Sequence, residues 1–416
     1  MSKNFLTFLV AAIALNIFPT TATTATAADV PASFAFQGSG YGHGVGMSQI
    51  GARAKALAGE SATAILQYYY TGTSVETVTD TQILRINIGH LLTSAKLRSD
   101  SNGAQLQLFA GDLGETQTDT PLLSLPSKTT LNLTLTNNLI ALSTTRGSKN
   151  TPITIGSSFT LRWTGTRYLD GPMTLISLTS GNVVNRYRHG QMNFKIIRDK
   201  TLGKRIEIIN SVRLQDEYLW GISEVPSSWP AAALEAQAIA SRTYAYAKSF
   251  KVRTACDCHL YGSISDQTFA GYSKEGEARF GELWKAAVNR TAGSIITYAG
   301  APITAYFTSS SGGVTETSEH AWGTATPYTV SVPDSASVDI VLNPRFATWS
   351  RDIPQNVIAQ AFLLSDVASL NVVALNPAGS VATIEATSWA GQIATLRGET
   401  FRSRSKLPSA WFNLKQ

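Results

Sequence analysis

The stretch "DEYLWGISEVPSSWPAAALEAQAIASRTYAYAKSF", residues 216–250, changes character at its middle. Up to Trp229 it is turn-like, with Glu224 on a turn bounded by Pro226 and Trp229. Pro230 suits the first position of a helix, and the run from Ala231 to Phe250 is helix-forming, with small residues that permit close packing. Glu224 therefore sits just ahead of a helix, which gives it two readings. In the structural one it complements the positive end of the helix dipole and does no chemistry. In the catalytic one, apolar neighbours Val225, Trp229 and Tyr218 raise its pKa until it can deliver a proton near neutral pH. The dipole opposes that shift, so burial must outweigh it. Asp216 and Glu217 are expected to face solvent, and Glu235 to lie on the outer side of the helix.

Upstream, Thr79 to Asn210 reads as strands: "QILRINI", "LNLTLTNNLIALS" with alternating leucines and an Asn137-Asn138 turn, "FTLRWTG", "MTLISL" and "FKIIRD" followed by "KRIEIIN". Ser99 to Thr164 is rich in Ser, Thr, Asn and Gly and reads as a sheet elaboration with polar turns. Downstream come a short helix near Glu277 to Val288, strands at "GSIITYAG" and "PITAYFTSS", and more strands near the end. The fold class is α+β, a mostly antiparallel β-rich body with a few helices. There is no solenoid repeat.

The first 28 residues have the basic, apolar and small-residue parts of a secretory signal peptide, and the apolar run from Phe5 to Phe18 is short for a membrane span. A secreted protein with no membrane span after signal removal is the expectation. Losing Lys3 lowers the formal charge from +6 to +5, a modest excess that suits an anionic wall polymer. Nucleic acid is not an expected partner, because no basic patch is concentrated in the sequence.

"GYGHGVGMSQIGARAKALAGE", residues 40–60, spaces four glycines around His43 before an alanine-rich helix. The spacing fails the G-x-G-x-x-G register at every start, and no Gly-Lys-Ser/Thr follows, so neither dinucleotide nor P-loop binding is read from it. Two explanations stay open. The glycines form a tight corner, or they let a ligand approach the main chain beside His43, Ser48 and Gln49. The only cysteines, Cys256 and Cys258 in "ACDCHLYG", allow a disulfide, buried thiols, or, with His259, three ligands of a zinc ion. "TSSSGG", residues 308–313, lacks the G-x-S-x-G elbow of a serine nucleophile. His90, His189 and His320 read as ordinary polar positions.

Together "YLWGISEVPSSWPAAALEAQAIASRTYAYA", "DQTFAGY", "ITAYFTSSSGGVTETSEHAWG", "GETFRSRSKLPSAWF" and the Gly40 segment resemble the sporulation stage II protein D / amidase enhancer (SpoIID/LytB) family. The resemblance covers nearly all of residues 29–416 and is weakest between Ser99 and Thr164. It implies a Gly-His-Gly cleft segment at 29–76, a β-rich part with insertion at 77–210 and a catalytic-type core at 211–416. In that family the Gly-His-Gly segment follows the segment resembling "SAWFNL"; here it comes first, as in a circular permutation. A permutation requires "FAFQG" near Phe34 to lie beside "AWFNL" near Phe412. The resemblance implies a cell-wall remodelling protein, a lytic transglycosylase that cleaves peptidoglycan glycan strands or an enhancer of a cell-wall amidase. Glu224 matches the family's catalytic acid. A glycan-binding cleft is expected to take His43, Ser48 and Gln49 from one side and Ser309, Ser310, Ser311 and Glu316 from the other, with Trp322 nearby. No cofactor is required by this chemistry; zinc at Cys256, Cys258 and His259 is left open by its occurrence near that region in some members.

Overall fold

The computed structural model describes residues 31–415; the expected signal peptide, 1–28, lies outside them. Three hydrophobic cores organise the described residues. The largest is built on two mostly antiparallel sheets, six-stranded and seven-stranded. In the strand Thr130–Thr136 the alternating Leu131 and Leu133 point inward, and Asn137 and Asn138, both at positive φ (50° and 65°), turn it tightly into Leu139–Arg146. The seven-stranded sheet carries Gly203–Arg213 between Ile83–Leu92 and Gln191–Asp199, with Leu260–Tyr261 added parallel at one edge.

The helix Ala231–Lys248 begins directly after Pro230, and its alanines have a structural cause. Leu234, Ala238 and Ala245 pack on the sheet core, while Ala236, Ile239 and Ala240 pack on a second core made by Met47, Ile65, Leu66 and Ile296. A helix buried on two sides needs small side chains for close approach. Arg242, fully buried in it, is paired with Asp80 at 2.9 Å. The expected helix near Glu277 is found as two pieces, Tyr272–Glu275 and Gly281–Arg290. "PITAYFTSS" is likewise split into Ala301–Pro302 and Phe307–Thr308.

The third core joins the two ends of the described chain. Ser33–Gly38 is the central strand between Trp349–Pro354 and Phe412–Leu414, pairing Phe36 with Leu414 and Gly38 with Phe412. The contact required by the permuted motif order is present. Phe36, Phe401 and Phe412 stack mutually at 5.6–5.7 Å between ring centres and seal it.

Candidate functional site

The glycine loop lies along the segment 306–312. Tyr41 and Ser310 exchange backbone hydrogen bonds of 3.0 and 3.1 Å, Met47–Ser48 pairs in parallel with Phe307–Thr308, and the Ile50 amide donates to the Ser309 carbonyl at 3.0 Å. Gly40, Gly42, Gly44 and Gly46 all have positive φ. A Cβ on Gly46 would fall 2.0 Å from the Tyr306 carbonyl oxygen, and one on Gly44 2.2 Å from the Trp411 ring. Protein atoms, not a ligand, occupy the space that these glycines leave, so the tight-corner reading holds and the reading of a main chain opened to a glycan is corrected.

Much of the expected cleft lining, on both sides, is framework. Ser48 is fully buried; its hydroxyl caps the helix Gln49–Leu57 by accepting from the Gly51 amide at 3.0 Å and lies 3.1 Å from the Ser337 hydroxyl. Ser310 and Ser311 are also fully buried, and the Ser311 hydroxyl donates to Asp334 at 2.7 Å. Glu316, 3% exposed, accepts from the Thr317 amide at 2.9 Å, faces His320 Nδ1 at 2.9 Å and accepts from the Ser380 hydroxyl. These side chains are enclosed and engaged inside the protein, which corrects their expected placement on a substrate surface. Ser309 remains half-buried.

His43 is held by geometry on both sides. Its Nδ1 accepts from the Val45 amide at 3.0 Å, and its ring packs edge-on against Trp322 at 5.0 Å. Burial, helped by the Arg402 charge, pushes its pKa down to about 3, so the imidazole is neutral at pH 7. It is suited to hydrogen bonding and stacking rather than to carrying charge.

Gln49 is the residue of the loop that meets Glu224. The segment 221–224 runs antiparallel to 268–270: the Ala270 amide donates to the Gly221 carbonyl and the Ser223 amide to the Thr268 carbonyl, both at 2.8 Å. This pairing aims Glu224 at Thr268, whose amide donates to Glu224 Oε1 at 2.5 Å. The side chains of Thr268 and Gln49 also face this half-buried carboxylate and favour its ionised form. Gln49 Nε2 in turn donates to Gln237 Oε1 at 3.2 Å, and Gln237 donates to the Ser241 hydroxyl at 3.1 Å, so the helix Ala231–Lys248 fixes the amide that faces the acid. Burial holds the Glu224 pKa above the usual carboxylate range, against the donors from Thr268 and Gln49 and the charge of Lys274. Burial wins, as the catalytic reading requires. Tyr218, a fully buried neighbour, donates to Gln267 at 2.8 Å, and Trp229 packs on the core beneath the guanidinium of Arg53, 5.8 Å from the ring centre.

Thr268, Lys274 and Gln237 escape a reading of isolated motifs, although Thr268 stands inside the quoted "DQTFAGY" block. Glu217 corrects another expectation. It is buried, paired with Arg167, and accepts from the Arg213 amide at 3.0 Å. Asp216 pairs with Arg213 at 2.7 Å, and Glu235 with Arg290 at 2.7 Å. His90, His189 and His320 each face a buried glutamate, Glu207, Glu275 and Glu316, in keeping with polar structural positions.

The zinc set does not fit. Cys256 and Cys258 are joined as a disulfide, which leaves no thiolate to ligate a metal, and His259 Nδ1 accepts from the Arg85 amide at 2.9 Å. Among the described residues no group of three His, Cys, Asp or Glu side chains is arranged to hold a metal ion. The loop closed by the disulfide is anchored instead by Asp257, which pairs with Arg85 at 2.5 Å and Lys195 at 3.0 Å.

Residues 203–298, which hold Glu224, the buried helix and Thr268, match the model of the SpoIID family, described as Stage II sporulation protein. The chain is 34% identical over 118 residues to the amidase enhancer of Bacillus subtilis (strain 168), covering 28% of this chain and 15% of that protein. It is 29% identical over 221 residues to Stage II sporulation protein D of the same organism, covering 48% of this chain and 60% of that protein. The corresponding protein of Bacillus amyloliquefaciens is 28% identical over the same shares. The model match and the names of these relatives agree with the resemblance of the sequence to the SpoIID/LytB family. The matches span at most 60% of the length of these SpoIID/LytB relatives. No helix among the described residues is long and apolar enough to cross a membrane.

Proposed function

We propose that this SpoIID/LytB-like protein is an exported cell-wall remodelling enzyme, a lytic transglycosylase that cleaves peptidoglycan glycan strands with Glu224 as its single acid and base. The observation that carries the reading is the half-buried Glu224 carboxyl, its pKa raised by burial and its oxygens addressed by Gln49 and Thr268. Protonated Glu224 gives its proton to the glycosidic oxygen as the bond from that oxygen to the anomeric carbon breaks and positive charge grows on the sugar. The sugar's own 6-hydroxyl then bonds to the anomeric carbon, and its proton passes to the Glu224 carboxylate. The product is a 1,6-anhydro end, no water is consumed, and the acid is restored. The donors from Gln49 and Thr268 support the ionised form that must exist between the two transfers.

A second reading is a peptidoglycan-binding protein that enhances an amidase, supported by the 34% identical segment shared with a protein of that name. Incubating wild type and Glu224→Gln with glycan strands, with and without stem peptides, separates the two. Mass spectrometry should find 1,6-anhydro ends with wild type alone. Binding by both proteins with such ends from neither favours the enhancer.

A further inference from the structure

An open groove of about 370 Å³ runs between the helices Ser318–Trp322 and Gly398–Ser405. Its wall is Trp322, 41% exposed, and its floor carries Arg397, Thr400, Ser403 and Arg404. Glu399, the carboxylate that lines it, is taken up by both arms of the Arg402 guanidinium at 2.6 and 2.8 Å. Arg397 and Arg404 are exposed, and among the described residues neither is paired with a carboxylate. Arg404 spends one nitrogen on the Ala361 carbonyl at 2.6 Å, and the Arg397 guanidinium is laid beside the tight turn at Gly323 that follows Trp322. An open aromatic face next to two unneutralised guanidiniums and two hydroxyls is the recognition set for a sugar that bears a carboxylate.

The groove is tied to the acid by a row of aromatic rings. Trp322 packs on Tyr306 at 4.7 Å, and Tyr306 on Tyr244 at 6.5 Å. Tyr244 donates to Asp266 at 2.8 Å, in the loop that also carries Thr268. All three rings are incompletely buried.

We infer that the Trp322–Arg397–Arg404 groove is a distal glycan subsite that seats an N-acetylmuramic acid residue, its ring on Trp322 and its free lactyl carboxylate on Arg397 and Arg404. The assignment rests on the glycan function proposed above and adds to it which sugar is held away from the acid. It is independent of cleavage, so it is tested on the Glu224→Gln protein, whose groove is intact. The probe is a tetrasaccharide of alternating N-acetylglucosamine and N-acetylmuramic acid with free carboxylates, followed by tryptophan fluorescence.

The expected result is a saturable change that is absent from the Trp322→Phe variant. Affinity should fall roughly tenfold with Arg397→Gln or when the neutral chitin tetramer replaces the acidic one, the size of one charge-assisted hydrogen bond. Arg397 is exposed, so its replacement leaves the fold intact, which circular dichroism confirms. Equal affinity for acidic and neutral tetramers, no effect of Arg397→Gln, or no Trp322-dependent change overturns the assignment. A uronic-acid tetramer bound as tightly overturns its commitment to the lactyl carboxylate. Binding as expected by a protein whose wild type cleaves nothing would sink the transglycosylase reading and leave the subsite standing.

Discussion

Glu224 and Glu316 both stand in motif blocks of the SpoIID/LytB family, yet the protein treats them in opposite ways. Glu316 is enclosed, with His320, Ser380 and the Thr317 amide around its oxygens. Glu224 is half-buried on a loop, raised in pKa by burial and aimed by a backbone amide and a glutamine from another segment. A carboxylate enclosed by donors on every side is a structural part, whereas one left with access and with a neutral form favoured by burial can exchange a proton. The family blocks alone do not separate these two roles.

The largest effect expected from this contrast is on stability. Glu316→Ala removes a buried acceptor shared by three groups and should cost about 3–5 kcal/mol in urea unfolding, whereas Glu224→Ala should change stability by less than about 1 kcal/mol. Equal losses would erase the distinction. Next comes the loop that carries Gln49. Gly46→Ala combines positive φ with a collision against the Tyr306 carbonyl and should lose roughly 2–3 kcal/mol by calorimetry. An unchanged midpoint would mean that the loop does not depend on this packing.

A smaller effect is expected on the pH profile. General-acid cleavage needs Glu224 protonated, so the rate should fall as pH rises through its raised pKa. Gln49→Leu removes a donor that favours the ionised form and should move this alkaline limb to higher pH, with a several-fold change in maximal rate. A limb that stays in place would sever Gln49 from the acid. The smallest effect concerns His43, whose pKa in the folded protein lies at about 3 against the ordinary 6.5 of an imidazole. Its neutral form stabilises the fold above pH 6.5, and that contribution is lost as pH falls towards 3. His43→Gln should cost about 1 kcal/mol at pH 7, with the gap to wild type narrowing on acidification. A constant gap in denaturation curves from pH 7 to 4 would contradict a half-buried imidazole held neutral by the fold.

Much of the fold was legible because its elements are local and periodic. The alternating leucines around Asn137-Asn138 specify a hairpin, and Pro230 followed by an alanine-rich run specifies a buried helix. The pairing of Phe36 with Leu414 followed from motif order, since two segments that are consecutive in the family must stay adjacent when permuted. Of the candidate site, Glu224 and Gln49 stood out in the sequence, and the structure brings the two together. The failures have one physical source: burial and partners are set by distant segments. Nothing near Ser48 or Ser311 in sequence announces Ser337 or Asp334 as their partners, and Glu217 looks exposed until Arg167 reaches it from 50 positions away. The C-x-C pair was open to metal or disulfide because spacing alone does not decide between them, and the structure closes it.

The most direct test sets wild type, Glu224→Gln and Glu316→Gln side by side on purified glycan strands, at a temperature where circular dichroism shows all three folded. Counting 1,6-anhydro ends per folded molecule gives the answer. Loss of product by a factor of roughly 10² or more in Glu224→Gln, with Glu316→Gln within a few-fold of wild type, is the expected result. Product retained by Glu224→Gln, or lost equally in both variants, would contradict the assignment of Glu224 as the acid that cleaves the strand.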